Sequence, residues 1–235
     1  MNEHAVDYAV PAAQATPQAR VDFIRRTYLH LAGAILLFAV LEYYLIQSPL
    51  APMMLKFIGN SRYGWLMILG GFIVTGWLAR SLAHRATSPG VQYLGLLLYV
   101  VFEAIIFVPI LFIAAFMTDP MVLPTAAIMT GVLFAGLTFT AFTCGKDFSF
   151  LRGILSIGGF GALGLIVCGA LFGLQLGTWF SVAMIVLAGG AILYDTSKIM
   201  RTYPTDRHVA ASLELFASVA LMFWYVLRLL MRARR

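Results

Sequence analysis

Apolar residues in this chain come in long runs broken by short polar or Gly/Pro-containing stretches. Seven runs can be marked, at 27–46, 65–82, 91–115, 121–143, 151–174, 177–195 and 209–230. Most are close to the twenty or so residues a helix needs to cross hydrocarbon. Inside a bilayer no water satisfies backbone amides, so each run is expected to close its hydrogen bonds internally, as a helix. A transmembrane β-barrel would alternate apolar and polar residues. Segments such as GILSIGGFGALGLIVCGALFG do not. The expectation is an all-α membrane protein, a seven-transmembrane-helix bundle forming one domain over residues 21–235.

Short connections should make sequence neighbours into spatial neighbours. The longest, 47–64, carries Pro49, Pro52, Lys56 and Arg62. The tightest are 116–120 and Gln175–Leu176, each suited either to a helical hairpin or to a re-entrant segment. Residues 1–20 are polar, Ala/Pro-rich and aperiodic, and read as a disordered tail. They are not a secretory signal, because no basic region leads at once into a short apolar core. Gly169 and Gly173 form a GxxxG pair on the fifth run, behind Gly158, Gly159, Gly161 and Gly164. Small residues of this kind let helices approach closely in lipid.

Composition agrees with the pattern. Hydrophobic residues make up 61% of the 235 and charged residues 11%, with a mean hydropathy of +0.90. A soluble globule of this size carries about 25% charged residues. The net charge is +6, but the basic residues sit at segment ends, where anionic lipid attracts them. No basic stripe with interleaved aromatics is present, so no nucleic-acid partner is expected. Cys144 and Cys168 read as small apolar thiols and not as a disulfide framework. With the N-terminus inside, the inner side receives ten Lys/Arg and the outer side six. The loops alone give ten against two, which favours a cytoplasmic N-terminus. Seven spans then leave the C-terminal MRARR outside, against that rule. A six-span arrangement would bring it inside.

An ionisable side chain in hydrocarbon costs roughly 2.5–3.5 kcal/mol on insertion scales, so the few such residues here are the most informative. Asp195, in GAILYDTSKIM, ends the sixth run on the N-terminal side. Glu214 lies about one and a half turns into the seventh, at similar depth. Ser218 is one turn deeper on the same helical face. Arg80, in TGWLARSLAHR, ends the second run at the same side. One reading pairs Asp195 locally with Lys198 and sends Glu214 to the interface. The other makes Asp195 and Glu214 a buried carboxylate pair, sensitive to protons and latched across three helices by Arg80. Oxygen ligands and net negative charge there also suit Ca²⁺, with Asp195 and Glu214 as its ligands. Glu103, in YVVFEAIIFVPIL, is the deepest acid, either a pore acid lining an ion path or a protonated packing residue. Pro109 follows it and is placed to kink the helix. Glu42 lies nearer the other end of the first run. His30, His84 and His208 read as interfacial, and Asp147 as an N-cap. No HExxH, GxSxG, zinc-ligand spacing, P-loop or dinucleotide fingerprint occurs. The chain is therefore not expected to be an enzyme or to hold a cofactor, Ca²⁺ as a transported or bound ion aside.

The string KDFSFLRG after TGVLFAGLTFTAFT, then ILYDTSKI, then a last run ending FWYVLRLL, resembles the Bax inhibitor-1 family of transmembrane proteins in its bacterial branch. The likeness runs from the first span to Leu230. It implies seven helices with the last one central. It implies a pH-sensitive calcium leak gated near the cytoplasmic side by two aspartates and an arginine, in the inner membrane of a bacterium. It also implies association with a membrane-bound ATP-dependent protease. The first aspartate falls on Asp195 and the arginine on or next to Arg80. The second falls on Ser218, so this chain departs from the pattern, and Glu214 one turn earlier is the acid available to stand in. Two functions remain in view: an ion-conducting calcium leak in the lipid bilayer, and a non-conducting membrane regulator of such a protease working through its N-terminal tail.

Overall fold

The computed structural model describes residues 10–60, 63–85 and 88–233. They form eight helices: α1 Pro17–Leu45, α2 Leu50–Asn60, α3 Gly64–Arg85, α4 Pro89–Phe116, α5 Val122–Cys144, α6 Leu151–Phe172, α7 Thr178–Arg201 and α8 His208–Ala233. All except α2 are long and apolar enough to cross a membrane. These seven match the seven apolar runs, and both tight connections are helical hairpins.

Local chemistry sets the helix ends. Thr16 Oγ1 accepts from the Ala19 amide and Pro17 occupies the first turn of α1, where its missing N–H costs nothing. Gly173 ends α6 in the left-handed region, at φ +74°, a conformation glycine adopts without a Cβ penalty. This corrects its expected role as half of a packing motif: the helix has stopped by then. Of the other glycines on α6, Gly158 makes the close approach, since a Cβ there would meet Leu187 Cδ1 at 2.6 Å. Asp147 is corrected too. Its Oδ1 accepts from the Ser149 amide at 2.9 Å and closes the turn before α6 without capping the helix. Cys144 is exposed and Cys168 half-buried, and both are free.

The helix α2 occupies what read as the longest connection. Ser48 starts it: its Oγ accepts from the Leu50 amide at 3.3 Å and donates to the Leu45 carbonyl at 2.7 Å. Pro52 falls in its first turn. The helix rests on α3 and α4, with Ala51 fully buried.

The last long helix is the centre of the bundle. Thirteen residues of α8 are buried, and it packs against α1, α3, α4, α5 and α7. By contrast α6 buries only Ala162 and leans mainly on α7. Its Ile157 and Phe160 are 77% and 76% exposed, an apolar surface that lipid would cover. The tightest crossing is α3 on α4. A Cβ at Gly95 would sit 2.8 Å from the Ala79 carbonyl oxygen and 2.9 Å from the Ala83 nitrogen.

The reading of residues 1–20 as one disordered tail is corrected from Val10 onward. Ala12 is fully buried. Its amide donates to the Tyr203 carbonyl at 2.8 Å, the Ala13 amide to the Arg201 carbonyl at 3.2 Å, and the Thr205 amide to the Val10 carbonyl at 3.2 Å. This short strap crosses the α7–α8 turn, and α1 begins directly after it. Pro11 stiffens the segment, and backbone pairing satisfies amides that the sequence pattern leaves to water.

Candidate functional site

The strap lies over the end of the bundle that carries the N-terminus. There α7 finishes, residues 202–207 turn the chain, and α8 begins antiparallel to α7. Two polar rungs join the helices. On the deeper one, Ser218 Oγ donates to Asp195 Oδ2 at 2.6 Å, and both residues are buried. On the other, one turn toward the turn of the chain, Lys198 Nζ donates to Glu214 Oε2 at 3.1 Å. Antiparallel helices make this ladder naturally. Asp195 and Lys198 are three residues apart on α7, Ser218 and Glu214 four apart on α8, so each pair occupies one face.

Tyr203 closes the ladder at the turn. Lys198 Nζ stands 4.9 Å from the centre of its ring. The phenol is buried and faces Glu214. Burial first, and the Glu214 charge second, push this phenol well above the ordinary tyrosine range.

Arg80 reaches the site from α3. Its guanidinium carbon is 5.8 Å from the centre of the Tyr99 ring, and it lies in the electrostatic field of Glu214 and Asp195. Among the described residues no ion pair within 4 Å joins it to either acid. Asp195 and Glu214 feel each other's charge, yet each is bonded to a different partner. The local alternative is also revised, since Lys198 takes Glu214 and not Asp195. As Ca²⁺ ligands, two carboxylates and one hydroxyl fall short of the six to eight oxygens that ion takes. No group of three or more His, Cys, Asp or Glu among the described residues is arranged for a metal.

A family model described as "Inhibitor of apoptosis-promoting Bax1" matches residues 20–235. The chain belongs to the Bax inhibitor-1 family. It is also 32% identical over 125 residues to an uncharacterized membrane protein of Vibrio cholerae, covering 51% of this chain and 53% of the relative. It is 32% identical over 111 residues to an uncharacterized protein of Pseudomonas aeruginosa, covering 46% and 49%. The matched region is thus about half the length of each relative.

By the resemblance drawn from the sequence motifs, Ser218 stands where the second aspartate is expected. Its hydroxyl, and not the Glu214 carboxylate, touches Asp195. The departure from the pattern therefore changes the chemistry of the rung while keeping its position.

The deeper acids form a separate group. Glu103 on α4 is 5% exposed, lies against the Tyr99 hydroxyl, and has Oε2 without a hydrogen-bond partner. Glu42 on α1 is equally buried, and neither of its carboxylate oxygens has a partner. Sequence reading placed Glu42 near a helix end and missed its burial. It also missed Tyr203 and the role of Lys198. Spacing could have found Lys198, which stands one turn from Asp195 as Glu214 does from Ser218. His30 likewise joins helices: its Nε2 is 2.8 Å from the Tyr93 hydroxyl and its ring 4.9 Å from that of His208.

Proposed function

We propose that this Bax inhibitor-1 family protein is a pH-sensitive calcium leak in a bacterial inner membrane, with its N-terminus in the cytoplasm and Asp195 as the proton-responsive group. The observation that carries the reading is the buried Asp195–Ser218 rung, set beside a second carboxylate and within the field of a cation from a third helix. A carboxylate in such a place ties α7 to α8 while it is charged, since it accepts from Ser218 and attracts Lys198 and Arg80. Protonation removes that attraction and leaves a neutral hydrogen bond. The two central helices then separate more easily at the cytoplasmic end, and a cation gains access to the interior. Glu214 holds Lys198 nearby, so the charge balance of the site depends on both rungs. The bias of basic loops toward this face supports the orientation.

The test is calcium entry into liposomes holding the purified full chain, followed from about pH 6 to 8, a window that brackets physiological values. Entry should exceed that of protein-free vesicles and vary with pH, and Asp195→Asn should flatten the profile. Entry equal to protein-free vesicles at every pH would remove the reading. In that case, retention of a membrane-bound ATP-dependent protease by the full chain would favour a non-conducting regulator.

A further inference from the structure

The end of the bundle opposite the strap holds charged groups that the Asp195 site does not use. There α6 ends, residues 173–177 turn the chain, α7 begins and α8 finishes. Helices α6 and α8 both pack on α7 and scarcely on each other. A cleft of about 330 Å³ opens between them. Trp224, Tyr225, Arg228 and Arg232 of α8 line one side, and Gly169 of α6 and Gln175 of the turn line the other. Gly169 lets the turn fold back over α6, since a Cβ there would stand 3.1 Å from the Leu174 carbonyl oxygen.

The two arginines set the chemistry of this cleft. They are four residues apart on α8, so both side chains leave one helical face. Arg228 is half-buried beside Tyr225. Tyr225 is itself buried, its ring edge-on to Phe180 at 5.8 Å. The groups that act electrostatically on Arg228 are Tyr225 and Arg232, with no carboxylate among them. Among the described residues no ion pair within 4 Å joins either arginine to an acid. Arg232 stands in the last turn, where the helix dipole suits a cation. Arg228 is a turn further in, and its charged neighbour there is another cation.

The place is against the usual distribution of charge. Basic residues favour the inner side of a membrane, and the connections at this far face carry only Lys56 and Arg62 against ten Lys/Arg at the other. A planar guanidinium binds phosphate oxygens through paired N–H donors, and the exposed Gln175 amide adds a further donor. Toward the bilayer centre the cleft runs onto Ile166 of α6 and Trp224 of α8. Phosphate-binding groups at the membrane face with apolar walls beneath them match the polarity of a phospholipid. A free phosphate ion would use the first and not the second.

We propose that this cleft binds an anionic phospholipid from the leaflet at the far face, with the lipid phosphate between Arg228 and Arg232 and an acyl chain along Ile166 and Trp224. The preferred headgroup carries no amine, because a zwitterionic lipid would bring a further positive charge to a site that already holds two. Bound lipid ties α6 to α8, two helices that the protein itself leaves unjoined. Such a site needs no ion conduction and stands apart from the calcium-leak reading.

The experiment follows thermal unfolding of the delipidated full chain in neutral detergent, titrated with phosphatidylglycerol, phosphatidylcholine or inorganic phosphate. Phosphatidylglycerol should raise Tm by several degrees, while phosphatidylcholine and millimolar phosphate should leave it near the lipid-free value. Arg228→Gln and Arg232→Gln should each raise the phosphatidylglycerol concentration needed for half the effect about tenfold. Arg152→Gln, at an exposed position on the opposite end of α6, should leave it unchanged. If Arg228→Gln does not fold, the exposed Arg232 gives the same comparison alone. No rise with phosphatidylglycerol, or an equal rise with phosphatidylcholine, would overturn the site. So would a loss in Arg152→Gln as large as in Arg232→Gln, since the lipid would then answer to net charge alone. An equal rise with inorganic phosphate would overturn the lipid as the ligand.

Discussion

Ser218 and Asp195 face each other across the α7–α8 contact with Oγ and Oδ2 2.6 Å apart, each only 8% exposed. Removing the hydroxyl leaves a buried carboxylate oxygen without its donor, a loss of about 1–3 kcal/mol. Ser218→Ala should therefore lower the thermal unfolding temperature of the purified protein by several degrees, while Ser218→Thr, which keeps the hydroxyl, should restore most of it. A Ser218→Ala protein as stable as its parent would mean that the rung carries no energy.

The second rung is weaker and should measure so. Lys198 and Glu214 are 31% and 19% exposed at their side chains, and part-exposed ion pairs contribute about 0.2–1 kcal/mol. A double-mutant cycle with Lys198→Met and Glu214→Gln, read by denaturant or thermal unfolding, should give a coupling energy in that range. It should shrink as salt is raised. Coupling well above it would mean that Tyr203 and the Asp195 rung respond to the same substitutions.

Tyr203 lies in the turn between α7 and α8, outside both membrane-spanning helices. Its phenol is raised above the unfolded value of 10.0 by burial and then by the Glu214 charge. For a group whose folded pKa is raised, the stabilisation is fully present below the unfolded pKa and is lost as pH rises above it. The protein should hold its stability up to about pH 10 and lose it progressively beyond. Tyr203→Phe should soften that alkaline loss, and ultraviolet titration of the folded protein should find the same number of tyrosines ionising near pH 10 in Tyr203→Phe as in its parent. An alkaline stability profile identical in Tyr203→Phe would contradict the assignment.

The seven spans were legible because lipid imposes one simple demand, a helix of sufficient length without charge. What escaped were features decided by rotation and depth. Glu214 and Ser218 share a helical face one turn apart, so spacing gives both an equal claim on Asp195. The choice is made by how far α8 slides along α7, which puts Ser218 opposite Asp195 and leaves Glu214 opposite Lys198. Gly173 fits a packing motif in sequence yet serves to end α6, because the motif does not register where the helix stops. Glu42 looked like a residue near a helix end; the turn of α1 on α4 buries it. The family resemblance located Asp195 and the Ser218 departure, but the partner of each acid came only from the packing of helices.

The strap over the α7–α8 turn gives a last expectation. Ala12 is fully enclosed, and its amide holds the Tyr203 carbonyl at 2.8 Å. A larger or charged side chain at that position cannot be accommodated without displacing the segment. Overpacking alone costs about 1–3 kcal/mol, and burying an unpaired charge costs more. Ala12→Asp should therefore free the strap, expose the Tyr203 ring, and increase its nitration by tetranitromethane severalfold. Ala12→Gly, which keeps the backbone bonds and adds no bulk, should leave nitration near the parent level. If Ala12→Asp leaves Tyr203 as protected as before, the strap does not shield the turn, and the burial of the phenol is due to α7 and α8 alone.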